Sequence, residues 1–185
     1  MDRPETSLPA ADQNRHANAI RRLGPGDLGA FRALRFEAIS THPQEFRYSP
    51  ADEREVSVQA WATRLAEDFV VGVFNDEQLI GLGGLTRMSG EKLRHKGLIW
   101  GMYVKPESRG TAAADEIISA LIGHGRQCLE MLILTVVQQN GRALRFYERW
   151  GFRTFGIEPA SIKLAEGTYL DEALMVLRID MRTSP

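Results

Sequence analysis

Val104-Lys105-Pro106-Glu107-Ser108-Arg109-Gly110-Thr111-Ala112-Ala113-Ala114 joins an apolar strand, through a turn carrying Arg and Gly, to a helix that opens on small side chains. The run before it, Gly97 to Val104 (GLIWGMYV), reads as a strand that Pro106 stops. Beyond the turn, Ala114, Ile117, Ile118, Leu121 and Ile122 recur at helical spacing as far as about Arg126. A helix N-terminus presents N–H groups with no intrahelical partner and a partial positive charge. Such a turn can hold a pyrophosphate, provided no bulky side chain keeps the phosphates away. Arg109 adds a candidate charge-assisted contact. Packing alone also explains Gly and Ala at a strand-to-helix turn, and at this point the two readings stand side by side. With no Gly-Lys-Ser/Thr triplet and no Gly-x-Gly-x-x-Gly, the turn is neither a P-loop nor a dinucleotide fingerprint.

Outward from this turn the pattern alternates. Leu129 to Val137 is a second strong strand, Asn140 to Trp150 a helix closed by Gly151, and Phe152 to Ile157 a further strand. A loop leads to a last strand over about Ala173 to Met181. On the N-terminal side, Gln78 to Met88 and Phe69 to Phe74 read as strands about the turn Asn75-Asp76-Glu77. Gly81, Gly83 and Gly84 weaken the first of these or mark a close backbone approach. Ser49-Pro50-Ala51-Asp52 is a helix start, with a hydroxyl cap, proline at the first helical position and an early acid; Val58, Trp61 and Leu65 carry the spacing on to about Glu67. Leu28, Phe31, Leu34, Ala38 and Ile39 form an apolar stripe on an earlier helix, after a short strand at Asn18 to Leu23. Three meandering strands followed by a strand–helix–strand crossover predict an α/β mixed sheet of six to seven strands flanked by four helices. Residues 1–16 read as a mobile polar tail, and 17–185 as one domain.

With 185 residues the chain can bury one sizeable core, and its net charge of -1 supplies no basic field for nucleic acid or acidic membrane. The single cysteine, Cys128, excludes an intrachain disulfide, and the scattered histidines show no metal-ligand spacing. No run is long and apolar enough to span a bilayer, and the N-terminus lacks the apolar centre of a signal peptide, so a cytoplasmic location is expected.

Val104, Pro106, Arg109, Gly110, Thr111, Ala112, Ala113 and Ala114 resemble the coenzyme A-binding segment of the GNAT acetyltransferases, Val-x-Pro-x-x-Arg-Gly-x-Gly-x-Gly/Ala. About 25 residues on, Asn140, Ala143, Tyr147, Gly151 and Phe152 resemble that family's second signature, Asn-x-x-Ala-x-x-x-Tyr-x-x-x-Gly-Phe. The order and spacing of the two are more specific than either alone, and the element order is also the family's. The resemblance therefore covers roughly residues 18–181 and implies the acyl-CoA N-acyltransferase fold. The implied function is transfer of the acetyl group of acetyl-CoA to a primary amine of a small molecule or peptide, within a ternary complex. A coenzyme A-binding regulatory module without turnover is the alternative. One departure supports it: Ala112 stands where the family usually has glycine, which is costly if that residue needs positive φ.

The resemblance further implies that the strands at 97–104 and 129–137 splay apart to admit the pantetheine arm. Backbone groups of Met102, Tyr103 and Val104 would line that arm, and a lone Gly101 fits a bulge there. It makes Tyr147 the candidate acid for the departing thiolate, a role that competes with plain packing beside Phe146 and Trp150. Asn140 either contacts the cofactor or simply caps the following helix. Arg142, Arg145 and Arg149 join Arg109 as phosphate candidates, and no general base is identifiable. The acceptor pocket is expected from residues 26–67 and 158–171, with Phe46, Tyr48, Trp61, Trp100, Tyr103 and Tyr169 as candidate lining and a homodimer as a possible assembly.

Overall fold

A computed structural model describes residues 18–179; the tail expected over 1–16 and the end of the strand expected to reach Met181 lie outside them. The strands are β1 (Ala19–Arg22), β2 (Phe69–Asn75), β3 (Gln78–Arg87), β4 (Lys96–Val104), β5 (Met131–Val137), β6 (Arg153–Lys163) and β7 (Tyr169–Arg178). The helices are α1 (Leu28–Thr41), α2 (Pro50–Glu55), α3 (Val58–Glu67), α4 (Ala113–Gly125) and α5 (Gly141–Arg149). One sheet holds all seven strands in the order β1-β2-β3-β4-β5-β7-β6. Every neighbouring pair is antiparallel except β4 and β5, which run parallel because α4 crosses over between them.

Each face of the sheet buries its own helices. On one side Ile117, Ile118 and Leu121 of α4 pack with Val71, Ile99, Leu132 and Met175, and Leu144, Phe146 and Tyr147 of α5 lean on the same cluster. On the other side Phe31 and Leu34 of α1 and Trp61 and Leu65 of α3 pack on Val70, Leu82 and Tyr103. β2 is buried on both faces, which is why it reads as a continuous apolar run. A Cβ at Gly84 would lie 2.4 Å from the Trp100 ring, so that glycine marks a close approach rather than a weak strand.

Two local readings change. The helical spacing from Pro50 to Glu67 predicts one helix, yet Val56 turns to extended backbone and Ser57 starts a new helix, its hydroxyl accepting from Ala60 N–H at 3.1 Å. The described residues thus hold five α-helices, the additional one coming from that break. Residues 158–163, expected in a loop, continue β6. There Pro159 and Ala160 (φ +51) interrupt the pattern, and the ladder to β7 skips between Glu158 and Ile162 before resuming.

Candidate active site

β4 and β5 pair only over Lys96–Met131, Gly97–Leu132 and Leu98–Ile133. Past Leu98 the strands part. β4 continues along β3 and β5 along β7, leaving a gap in the middle of the sheet. The divergence starts next to a bulge: Leu82 pairs with Tyr103 and Gly84 with Trp100, so Gly101 and Met102 together face Gly83. Gly101 takes φ +66, a left-handed conformation that glycine adopts without strain.

The backbone of Val104 points into the gap. The Tyr103 carbonyl oxygen lies 3.1 Å from the Cβ position of Gly81, on the β3 side, and Lys105 N–H donates to Ile80 at 2.9 Å on the same side. Across planar trans peptides, the N–H and C=O of Val104 must therefore face the other way. Its carbonyl accepts from Arg109 Nε at 3.1 Å; its N–H remains free to meet a ligand in the gap.

At the open end of the gap sits the turn into α4. Gly110 has φ +81, as a tight turn requires, and Ala112 is right-handed at φ -70 and ψ -10. The alanine in place of a loop glycine therefore carries no backbone strain, and the objection raised by Ala112 is removed. Thr111 Oγ1 donates to the Ser108 carbonyl at 2.7 Å and accepts from Ala113 N–H at 3.3 Å. Among the described residues the N–H groups of Gly110, Thr111, Ala112 and Ala114 have no acceptor. Free amides at a helix N-terminus can act as a cradle for an anion, and the small side chains leave this one open, apart from the buried Ala113, whose methyl packs into the core. Asp115, in the first turn of α4, is tied to the end of α5 through Arg149 at 2.7 Å and Trp150 Nε1 at 2.8 Å.

Arg109 is placed differently from its sequence reading. Besides the Val104 carbonyl, its guanidinium meets His42 Nε2 and lies 5.8 Å from the Tyr103 ring, so it braces the strand end instead of reaching into the cradle. Arg149 is likewise engaged with Asp115, whereas Arg142 and Arg145 are exposed. Asn140 caps α5, its side-chain oxygen accepting from Ala143 N–H at 3.0 Å. Met102 and Ala143 are half-buried; Tyr103 is buried, its hydroxyl donating to Glu37 at 3.1 Å.

Tyr147 packs edge-on against Phe146 and Phe152, with ring centroids 5.2 and 5.7 Å apart. Burial pushes its phenol well above the usual tyrosine range, which keeps it a neutral O–H donor. Both a packing and a proton-donating role fit that placement.

Sequence reasoning missed a polar strap. Arg47, in the loop after α1, donates from Nε to Glu172 at 2.7 Å and from Nη2 to Glu158 at 2.9 Å, and Ser161 Oγ adds a short hydrogen bond to Glu172. Glu172 is 3% exposed and stands opposite Val137 at the end of β5. Burial raises its pKa, but hydrogen bonds from Arg47, Ser161 and Thr135 outweigh burial and hold the carboxyl below its ordinary range. It is thus an ionised anchor and a poor proton acceptor. A depressed folded pKa contributes stability that is fully present above the unfolded value, near 4.3, and is lost as pH falls through the folded one. Glu172→Gln is expected to flatten the acid limb of a curve of melting temperature against pH below about pH 4.3. An unchanged limb refutes that linkage. The pair spans 125 residues, and no local spacing announces it.

A sheet opened at one parallel pair, with free amides at the adjoining helix start, defines the class: an α/β acyltransferase fold built around a thioester cofactor. The chain belongs to the acetyltransferase (GNAT) family, whose model matches residues 33–152. It is similar to an acetyltransferase of that family from Streptococcus pneumoniae, with a TM-score of 0.79 at 19% identity, over 88% of this chain and 100% of that one. A putative acetyltransferase from Salmonella typhimurium, solved with its cofactor acetyl-CoA, gives a TM-score of 0.76 at 20% identity, over 91% and 98%. A mycothiol acetyltransferase from Brachybacterium faecium is 28% identical over 131 residues, which is 70% of this chain and 39% of that protein. The chain thus spans less than half the length of that relative.

Proposed function

We propose that residues 17–185 form one transferase domain that moves the acetyl group of acetyl-CoA onto a primary amine of a small molecule or peptide, by direct attack in a ternary complex. The observation that carries the reading is the gap beyond Leu98 and Ile133, open beside the unpartnered amides of Gly110, Thr111, Ala112 and Ala114. Those amides suit a diphosphate, and the gap suits an extended pantetheine arm. Acetyl-CoA supplies an activated acyl carbon. The neutral amine forms the new N–C bond at that carbon as the C–S bond breaks, and the amine's surplus proton leaves to solvent. Val104 N–H, facing the gap, is the donor for the developing oxyanion. The Tyr147 hydroxyl gives its proton to the departing thiolate.

Thr111→Asp tests the cradle. The new carboxylate keeps an acceptor near Ala113 N–H and sits at the positive end of α4, where an acid typically stabilises by about 0.3–1 kcal/mol. It also places a charge roughly 5 Å from the diphosphate, a repulsion of about 1–2 kcal/mol at an intermediate dielectric. The expected result is a melting temperature held or raised, with acetyl-CoA affinity down about tenfold by calorimetry. Equal affinity in the two proteins removes the cradle from the reading. Binding with no thiol released to any amine favours a regulatory module.

A further inference from the structure

Below the bulge, on the face covered by α1, α2 and α3, lies a second cavity of about 110 Å³, lined by Arg35, Tyr48, Glu53, Trp61 and Arg64 among others. It is large enough for a carboxylate on a short carbon stem and too small for a peptide. Its chemistry is one-sided. Arg35 is 5% exposed and Glu53 4%, joined by two hydrogen bonds of 2.9 Å from Nε and Nη2, so both carboxylate oxygens are taken. The third nitrogen, Nη1, has no acceptor among the described residues. Trp61, 3% exposed, has an indole N–H that is buried without an acceptor. Arg64 brings a second guanidinium, 5.3 Å from the Trp61 ring and 5.2 Å from that of Trp100, with only a distant ion pair of 3.8 Å to Asp68.

The cavity therefore offers spare donors and two cations against one fully engaged carboxylate. Both guanidinium groups already lie over the Trp61 ring, Arg35 at 4.6 Å and Arg64 at 5.3 Å, so that ring is not open to a further cation. A ligand with acceptors and negative charge completes it. Arg35 also fixes where that ligand sits. Nη1 lies 2.8 Å from the Cβ position of Gly101, so the guanidinium touches the bulge beside the gap and the cavity wall at once. An anion held by Arg35 Nη1 therefore sits beside the bulge that borders the gap.

We propose that the acceptor is a compact amine bearing a carboxylate a few bonds from its nitrogen, an amino acid in the simplest case. Arg35 Nη1 and Arg64 hold the carboxylate, and the amine is directed past Gly101 into the gap. The assignment rests on the transferase reading above. It separates this site from one for polyamines, whose second cation would meet two guanidinium groups.

The experiment uses matched triplets: an amino acid, its primary amide and the corresponding decarboxylated amine, for a small, an apolar and a polar side chain. Thiol release with acetyl-CoA is followed for each, and tryptophan fluorescence is titrated without acetyl-CoA. Carboxylated members are expected to show kcat/KM about 10- to 100-fold above their amides, the scale of one charge-assisted buried contact. They alone are expected to change the fluorescence. Arg64→Gln is expected to raise KM for the acids about tenfold, leaving the amides, the decarboxylated amines and the acetyl-CoA affinity where they were. Equal turnover of acids and amides overturns the proposal, as does an Arg64→Gln effect uniform across each triplet, or a fluorescence signal from no acid. Failure to bind acetyl-CoA at all counts instead against the transferase reading, while the fluorescence titration still decides this one.

Discussion

Arg35→Ala is expected to lower stability by about 3–5 kcal/mol, the scale for removing one partner of a buried ion pair. The arginine and Glu53 side chains are 6% and 4% exposed, and among the described residues Arg35 alone holds the two oxygens of Glu53. Truncation strands a carboxylate under α1, α2 and α3 and removes the guanidinium from beside Trp61 and Trp100. For a chain of this length each kcal/mol shifts the midpoint by about 2–4 °C, so a loss on the order of 10 °C is expected in thermal melts. The double variant Arg35→Met, Glu53→Leu removes both charges and is expected to recover most of that loss, because apolar replacements of buried ion pairs are often neutral. Recovered stability without recovered use of carboxylated amines assigns the pair a binding role. A single variant that melts within about 1 kcal/mol of the parent refutes the account of the buried pair.

The parts of this molecule legible in its sequence are those where one residue type must stand at one place. Gly110 is needed for φ +81, Gly101 for φ +66 in the bulge, Asn140 as the α5 cap, and Ser49 with Asp52 as the reciprocal cap of α2. Each leaves a local mark. The gap itself leaves none, because it is a property of backbone pairing, and only the family resemblance pointed to it. Ion pairs between distant elements are equally silent: Arg35 and Glu53 sit on different helices, and Arg47 meets Glu172 across the fold. Arg109 is a case of another kind. A guanidinium beside a phosphate turn invites a phosphate role, yet its donors take the nearer acceptors on Val104 and His42. Of the aromatic residues expected in the acceptor pocket, Tyr48 and Trp61 do line the cavity. Phe46 and Trp100 instead lean on the adjoining core, and Tyr169 lies exposed on β7 near Lys163. The cavity draws its lining from 35–64 alone, and none of it from the expected second segment, 158–171.

Tyr147→Phe is expected to lower kcat about a hundredfold at neutral pH, the lower end of what a positioned proton donor contributes. The ring contacts with Phe146 and Phe152 survive the change, and the hydroxyl has no hydrogen-bond partner among the described residues. Melting temperature and acetyl-CoA affinity are therefore expected to stay put. The pH profile separates chemistry from packing. A thiol of ordinary acidity ionises near pH 8.5, so above that value the thiolate is the stable product and no longer has to be protonated before release. The deficit of the variant is then expected to shrink as pH rises through about 9, whereas a packing defect would persist at every pH. The parent should hold its rate across the same range, because burial keeps the Tyr147 phenol protonated beyond the point where a solvated tyrosine titrates. Unaltered turnover in the phenylalanine variant, or a deficit that ignores pH, takes the acid role away from this residue and leaves solvent to protonate the thiolate.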